Sequence, residues 1–275
     1  MIIRVHDPDD PRVAVFFHLT DAFLRQKQHP EKALFIAEGP KVVRTALECG
    51  LRPVSVLIRE RHIDRAGELL SLCGDVPVYT GDDDTLAALT GFRLERSWIL
   101  CAMERPQTRT MEEVCREAHR VAVLEDITEP SNVGAIFRSA AALGMDAVLL
   151  TPSCVDPWNR RSVRVCMGTL FRMPFARTPP DGGMRDLHEL GFKTVCMALR
   201  DNSLELSDPR LKAEDRLAVY LGTEDTGLKE ETIRQADYQV IIPMAKQVDS
   251  LNVAAAAAVA FWELRPNQPV LPSHR

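Results

Sequence analysis

The chain has 275 residues, 45% hydrophobic and 27% charged, with a formal net charge of −5, which is length enough for two modest domains. No apolar run approaches the ~20 residues a membrane helix needs, and Met1-Ile-Ile-Arg-Val-His-Asp lacks the regions of a signal peptide, so a cytoplasmic protein is expected. The seven cysteines form no C-x-x-C pair and are odd in number, which points to reduced thiols rather than a disulfide framework or a zinc site, and the acidic balance excludes a uniformly basic nucleic-acid surface but not a local basic face.

In chain order, residues 11–28 read as an amphipathic helix with Val13, Phe16, Phe17, Leu19 and Phe23 on its apolar face. Ala33–Ala37 reads as a strand, broken by Glu38-Gly39-Pro40, and the following helix carries Val42, Val43, Ala46 and Leu47 on one side. Val54–Ile58, Val76–Tyr79 and Trp98–Ala102 are further strands, with helices over Asp64–Leu72 and Thr85–Leu89 between them. This alternation predicts a small α/β layer domain over residues 1–105. Residues 106–119 read as a linker, opened by Pro106, and a connecting helix.

A second α/β domain is predicted over residues 120–265. Its strands fall at 121–125, 147–151, Arg172–Arg177, Lys193–Ala198, Leu217–Leu221 and Val240–Ile242. Its helices fall at 132–143, after the polar loop at Asp156, at Met184–Leu190, at Thr226–Gln235 and over the alanine-rich Ser250–Leu264. Pro266, Pro269 and Pro272 mark residues 266–275 as a tail that cannot continue the last helix.

Three strand ends in this domain carry polar motifs. After the first strand, Asn132, Gly134 and Arg138 form N-x-G-x-x-x-R. After Leu217–Leu221 comes Gly222-Thr223-Glu224-Asp225-Thr226-Gly227-Leu228. After Val240–Ile242 come Pro243-Met244 and then Ser250-Leu251-Asn252-Val253. Together, and in this order, they resemble the SpoU (TrmH-like) class of the SPOUT superfamily of RNA methyltransferases, over roughly Arg120 to Leu264. Thr223 and Asp225 stand where that family usually has Asn and Gly, Lys246 where it often has a small residue, and Ala254 where it has Ser or Thr. Phe35-Ile-Ala-Glu-Gly39, a helix and then Pro53–Glu60 also resemble the ribosomal-protein-like RNA-binding domain that precedes many SpoU catalytic domains.

The resemblance implies a SPOUT-type α/β sheet with a C-terminal trefoil knot, preceded by that small α/β RNA-binding domain. It implies a homodimer, S-adenosylmethionine as methyl donor and a ribose 2′-hydroxyl of RNA as acceptor, ribosomal RNA before transfer RNA. A tRNA ribose methyltransferase, an RNA-binding assembly factor without turnover and a small-molecule-binding α/β protein are the alternatives. Methyl transfer from a sulfonium is an in-line displacement, which needs alignment and help with one proton rather than a metal. Neither a P-loop nor G-x-G-x-x-G is present to signal a nucleoside triphosphate or a dinucleotide.

By motif position, the resemblance assigns backbone groups of Gly222, Ile242 and Leu251 to the adenine and ribose of the donor, with Leu199 and Met244 along its apolar side. Arg138 is always protonated and so a poor base; its implied role is to hold an RNA phosphate bidentately and orient the 2′-hydroxyl. Asn132 fixes Arg138 or the ribose. Glu224 accepts hydrogen bonds within its loop or orients substrate. Ser250 and Asn252 position the target ribose, although Ser250 reads equally as a helix cap. Trp158 among Arg160, Arg161 and Arg164 reads either as an RNA-contacting patch or as a solvated helix face. The RNA affinity of the first domain is assigned to Arg25, Lys27, Arg52, Arg59, Arg61 and Arg65, with Asp82–Asp84 facing away. A chain beginning near Thr110 is expected to stay folded on its own.

Overall fold

The computed structural model describes residues 1–7, 9–17, 32–90, 98–200, 202–245 and 250–266. The chain forms two compact units: Met1–Thr108 together with Asp156–Arg172, and Arg109–Val155 together with Met173–Arg275. The expected helix over 11–28 is seen only as Ala14–Phe17, since 18–31, with Arg25 and Lys27, lie outside the described residues. Lys246 and residues 267–275 of the tail lie outside them as well. Among the described residues no helix is long and apolar enough to cross a membrane.

The first unit runs β1 (Ile2–Arg4), α1 (Ala14–Phe17), β2 (Leu34–Glu38), α2 (Pro40–Glu48), β3 (Pro53–Arg59), α3 (Gly67–Leu72), β4 (Val78–Gly81), α4 (Asp83–Thr90) and β5 (Ile99–Glu104). The strands form one sheet in the order β1-β4-β3-β5-β2. β1, β4 and β3 are parallel, and β5 runs antiparallel to both β3 and β2. β1 has only three residues, too short for a period-two pattern to register. The predicted helix Asp64–Leu72 begins as two 3₁₀ turns, Glu60–His62 and Asp64–Ala66, before becoming α-helical at Gly67.

The second unit runs α5 (Met111–Cys115), β6 (Arg120–Leu124), α6 (Pro130–Ala142) and β7 (Ala147–Leu150). The chain then contributes α7 (Arg160–Val165) to the first unit and returns. It continues through β8 (Phe175–Arg177), α8 (Met184–Glu189), β9 (Lys193–Met197), β10 (Leu204–Glu205), α9 (Pro209–Ala213), β11 (Leu217–Leu221), α10 (Glu230–Gln235), β12 (Tyr238–Ile241) and α11 (Val253–Leu264). The seven strands pair in the order β10-β12-β9-β11-β6-β7-β8, every neighbour parallel. Strands buried on both faces read as continuous apolar runs. β6, β7 and β11 are therefore RVAVL, AVLL and LAVYL, buried throughout. Arg120 opens β6 from inside the core, where its guanidinium donates to the carbonyls of Leu264 (2.9 Å), Asp215 (2.7 Å) and Glu214 (2.9 Å). It thereby holds the C-terminal end of α11.

Asp156–Arg172 is the main departure from the expected organisation, because sequence order assigns it to the second domain. In the first unit the ring of Trp158 lies 4.7 Å from that of Phe35 and 6.1 Å, stacked, from that of Phe171. Arg160 Nε donates to the buried Glu38 carboxylate at 2.7 Å, Arg164 approaches the same carboxylate at 3.3 Å, and Asp156 pairs with Arg105 at 2.6 Å. Trp158 is therefore a packing residue, and Arg160 and Arg164 serve an internal carboxylate. Arg161 and Arg164 remain exposed on this helix face. Elsewhere in this unit Arg59 and Arg61 both pair with Asp83, and Arg52 pairs with Glu104.

Candidate functional site

Because β9, β11 and β12 are parallel, their carboxyl ends open on one edge of the sheet, the usual place for a ligand in an open α/β fold. A cleft lies there, lined by Met197, Ala198 and Leu199 after β9, by Leu221–Glu224 and Gly227 after β11, and by Val240–Ile242 and Met244 at β12. Ser250, Leu251, Val253 and Ala256 close it from the start of α11. All five residues expected to bind a donor, Leu199, Gly222, Ile242, Met244 and Leu251, line this one cleft. Leu199 and Leu251 are large apolar side chains left exposed, at 58% and 38%. Apolar surface at a concave site suits a flat apolar ligand edge such as adenine.

At the same edge, one carboxylate oxygen joins all three motifs. Glu224 Oε1 accepts from Asn132 Nδ2 at 3.0 Å, from Asn252 Nδ2, and from the backbone N–H of Val253 at 3.4 Å. Asn252 Nδ2 also donates to Asn132 Oδ1 at 3.1 Å. Of the two roles the sequence suggests for Glu224, bonding within its own loop or orienting substrate, the first is not what is seen, since its partners lie in the first and third motifs. The carboxylate sits at the N-terminus of α11, where unpaired N–H groups and the helix dipole favour negative charge. The second oxygen, Oε2, has no partner among the described residues. Asn132 reaches this point from the first turn of α6, whose cap is Glu129, accepting from Ser131 N–H at 3.3 Å.

One alternative is settled, and one residue stands apart from the cleft. The cap of α11 is Asn252, whose Oδ1 accepts from the N–H groups of Ala254 (3.0 Å) and Ala255 (3.3 Å); Ser250 lies before the helix and lines the cleft. Arg138 does not line the cleft: it is exposed on α6 and makes no ion pair or hydrogen bond among the described residues. Six residues of helix turn through about 600° and advance about 9 Å. Arg138 therefore stands about a third of a turn around the helix from Asn132 and about 9 Å further along it.

The loop after β11 closes on itself. Thr223 and Gly227 exchange two backbone hydrogen bonds, at 3.2 and 3.1 Å, and Thr223 Oγ1 accepts from Thr226 N–H at 3.1 Å and lies 2.8 Å from Thr226 Oγ1. The hydroxyl of Thr223 thus holds the turn at the position where the resemblance led us to expect Asn. Sequence reasoning missed the groups beneath this loop. Glu125, directly after β6, is 2% exposed and accepts from Lys229 N–H and Thr232 Oγ1, both at 2.6 Å. Asp126 has a positive φ of 57° and pairs with Lys229 Nζ at 2.8 Å. Burial pushes its carboxyl up, but hydrogen bonds from Lys229, Ser153 and Thr151 outweigh this and hold it below its ordinary value. The available signal was a pair of acids placed immediately after a buried strand.

Residues 119–262 match the model of the SpoU rRNA Methylase family. A protein of Mycobacterium tuberculosis named as an uncharacterized tRNA/rRNA methyltransferase is 37% identical over 94% of this chain and 90% of its own. The 23S rRNA (guanosine(2553)-2′-O)-methyltransferase RlmP of Bacillus subtilis is 25% identical over 87% of this chain and 92% of its own. The fold is shared with the crystal structure of an AdoMet-bound rRNA methyltransferase from Sinorhizobium meliloti, at a TM-score of 0.76 and 24% identity, covering 96% of this chain and 97% of that one.

Proposed function

The chain belongs to the SpoU rRNA methylase family, and we propose that it transfers a methyl group from S-adenosylmethionine to a ribose 2′-hydroxyl, in ribosomal RNA. The observation that carries this reading is the convergence of Leu199, Gly222, Ile242, Met244 and Leu251 on one cleft beside the Asn132–Glu224–Asn252 cluster. The 2′-O-methyltransferase names of the relatives from Bacillus subtilis and Streptomyces viridochromogenes, both for 23S rRNA, support the ribose and the RNA class. A bound donor supplies the electrophilic methyl. Glu224 Oε2, still able to accept, orients the acceptor hydroxyl, while the two asparagines fix the carboxylate. Nothing in this chemistry calls for a metal, and among the described residues no group of His, Cys, Asp and Glu is placed to hold one.

A C-terminal trefoil knot belongs to this reading. The position of β11 between β6 and β9 supports it, since a strand late in the chain enters the middle of the sheet. So does the homodimer. α11 packs on α6, and its Val259 and Trp262 remain 42% and 55% exposed, an apolar face suited to a two-fold partner. Arg138, exposed on α6, would reach an acceptor phosphate in such a dimer. Light scattering is expected to give twice the chain mass at micromolar concentration; a monomer mass ends the dimer reading.

The test of function is methyl transfer to ribosomal RNA, followed by mapping of ribose methylation across the stable RNAs. Arg138→Ala is expected to lower the rate at least about a hundredfold, in the range of a lost charge-assisted phosphate contact, and to leave donor affinity within about twofold, since Arg138 does not line the cleft. Donor binding without transfer to any RNA favours the assembly-factor alternative. Full activity of Arg138→Ala removes the phosphate role.

A further inference from the structure

Glu125 takes no part in the Asn132–Glu224–Asn252 cluster, yet it touches both ends of the loop that lines the cleft. Its backbone N–H donates to Leu221 O at 2.9 Å, just before the loop. Its Oε1 accepts from Lys229 N–H at 2.6 Å, just after the loop, and its Oε2 accepts from Thr232 Oγ1 at 2.6 Å, inside α10. Lys229 is the cap residue of α10, and no side chain of its own segment caps that helix. The carboxylate of Glu125, from the turn after β6, supplies the acceptor instead. A carboxylate this deeply buried is costly unless each oxygen is hydrogen-bonded, and charge-assisted bonds of this kind are among the stronger ones. The internal bonds of the loop, between Thr223, Thr226 and Gly227, set its shape but not its position on the sheet. Position comes from the two ends, and both are held by Glu125, with Lys229 Nζ held further by Asp126.

We infer that Glu125 is a positioning residue for the methyl-donor site: it sets where Gly222, Thr223, Glu224 and Gly227 stand in the cleft wall. The inference rests on the reading of the cleft as the donor site. Without the carboxylate, Lys229 N–H and Thr232 OH lose their acceptor. β11 remains paired with β6 and β9, so the sheet persists while the loop drifts. Glutamine is a conservative replacement. Its amide oxygen accepts from Lys229 N–H, and its amide nitrogen donates to Thr232 Oγ1, because a hydroxyl can either donate or accept.

The experiment is calorimetric titration of the full chain with S-adenosylhomocysteine, together with thermal melting and amide hydrogen exchange of residues 222–228. Glu125→Ala is expected to weaken binding at least about tenfold and to speed exchange in the loop. Glu125→Gln stays within about threefold of the unsubstituted chain, and Thr232→Val, which removes one of the two side-chain bonds, falls between. His188→Ala is the control. It removes contacts to Thr194 and Asp237, which lie at the opposite end of the strands, so it lowers the melting temperature without moving donor affinity. Glu125→Ala with unsubstituted affinity and unchanged loop exchange overturns the inference. If Glu125→Ala fails to fold, unsubstituted affinity in Thr232→Val overturns it instead. If the unsubstituted chain binds no donor, the donor-site reading fails, and the exchange rates alone decide whether Glu125 positions the loop.

Discussion

Replacing Gly222 by alanine is expected to abolish donor binding at ordinary ligand concentrations while leaving the sheet folded. A Cβ on Gly222 would stand 2.3 Å from Gly227 C, 2.4 Å from Leu228 N and 2.5 Å from Gly227 O. These are backbone atoms of the closed loop and cannot swing aside as the end of a side chain can. The loop must lift away from the end of β11, taking Thr223 and Glu224 out of the cleft wall and pulling on the Lys229–Glu125 bond. Overpacking of this sort costs about 1–3 kcal/mol, and an affinity loss of about a hundredfold corresponds to the upper part of that range. The resemblance assigns a backbone group of Gly222 to the donor, which asks for close approach by a ligand. The nearer obstacle is the chain itself. Gly227→Ala makes the contrast: a Cβ there meets nothing within 4 Å, and its cost comes only from a φ of +70°, about 1 kcal/mol for a non-glycine residue. Titration calorimetry should therefore rank Gly222→Ala well below Gly227→Ala in affinity, with circular dichroism near that of the unsubstituted chain for both. Normal donor binding by Gly222→Ala would show that the cleft wall is not the loop described.

What the sequence discloses follows the range of the interactions involved. Leu217–Leu221 was legible to the residue because a parallel strand buried on both faces is an unbroken apolar run bounded by glycine. The cleft was legible because parallel strands deliver their carboxyl ends to one edge. Long-range pairings left no local trace. Arg160 meets Glu38 across 122 residues of chain, and Glu125 meets Thr232 across 107. An arginine cluster around a tryptophan looks the same locally whether it faces RNA or a buried carboxylate. The cap of α11 was misplaced by two residues because Ser250 and Asn252 are both acceptable caps. Asn252 takes that place, and its amide also serves Glu224, from a loop not adjacent in sequence. The motif places Arg138 on the helix that opens at this edge, and helical phase sets it about a third of a turn from Asn132.

A chain shortened to residues 109–275 is expected to lose stability rather than stand as an independent catalytic domain, contrary to what the linker at Pro106 suggests. Asp156–Arg172 packs in the first unit, so removing residues 1–108 leaves that segment without its partners. Trp158 and Phe171 lose Phe35, Arg160 and Arg164 lose Glu38, and Asp156 loses Arg105. Val163, Cys166 and Leu170, buried in the whole chain, lose cover as well. Each large apolar side chain returned to water costs about 1.5–3 kcal/mol, and several together rival the roughly 5–15 kcal/mol that holds a domain folded. The exposed aromatics also form an aggregation-prone patch. Thiol labelling tests this directly. The shortened chain retains Cys115, Cys154, Cys166 and Cys196, all four buried in the full structure. If the parallel sheet survives, only Cys166 should become rapidly reactive, and the melting temperature should fall by several degrees or more. If the sheet is lost, all four should react. A shortened chain that melts like the intact one with all four thiols protected would show that the segment does not depend on the first unit. If it also methylates the target RNA as well as the full chain does, RNA recognition is not the work of residues 1–108.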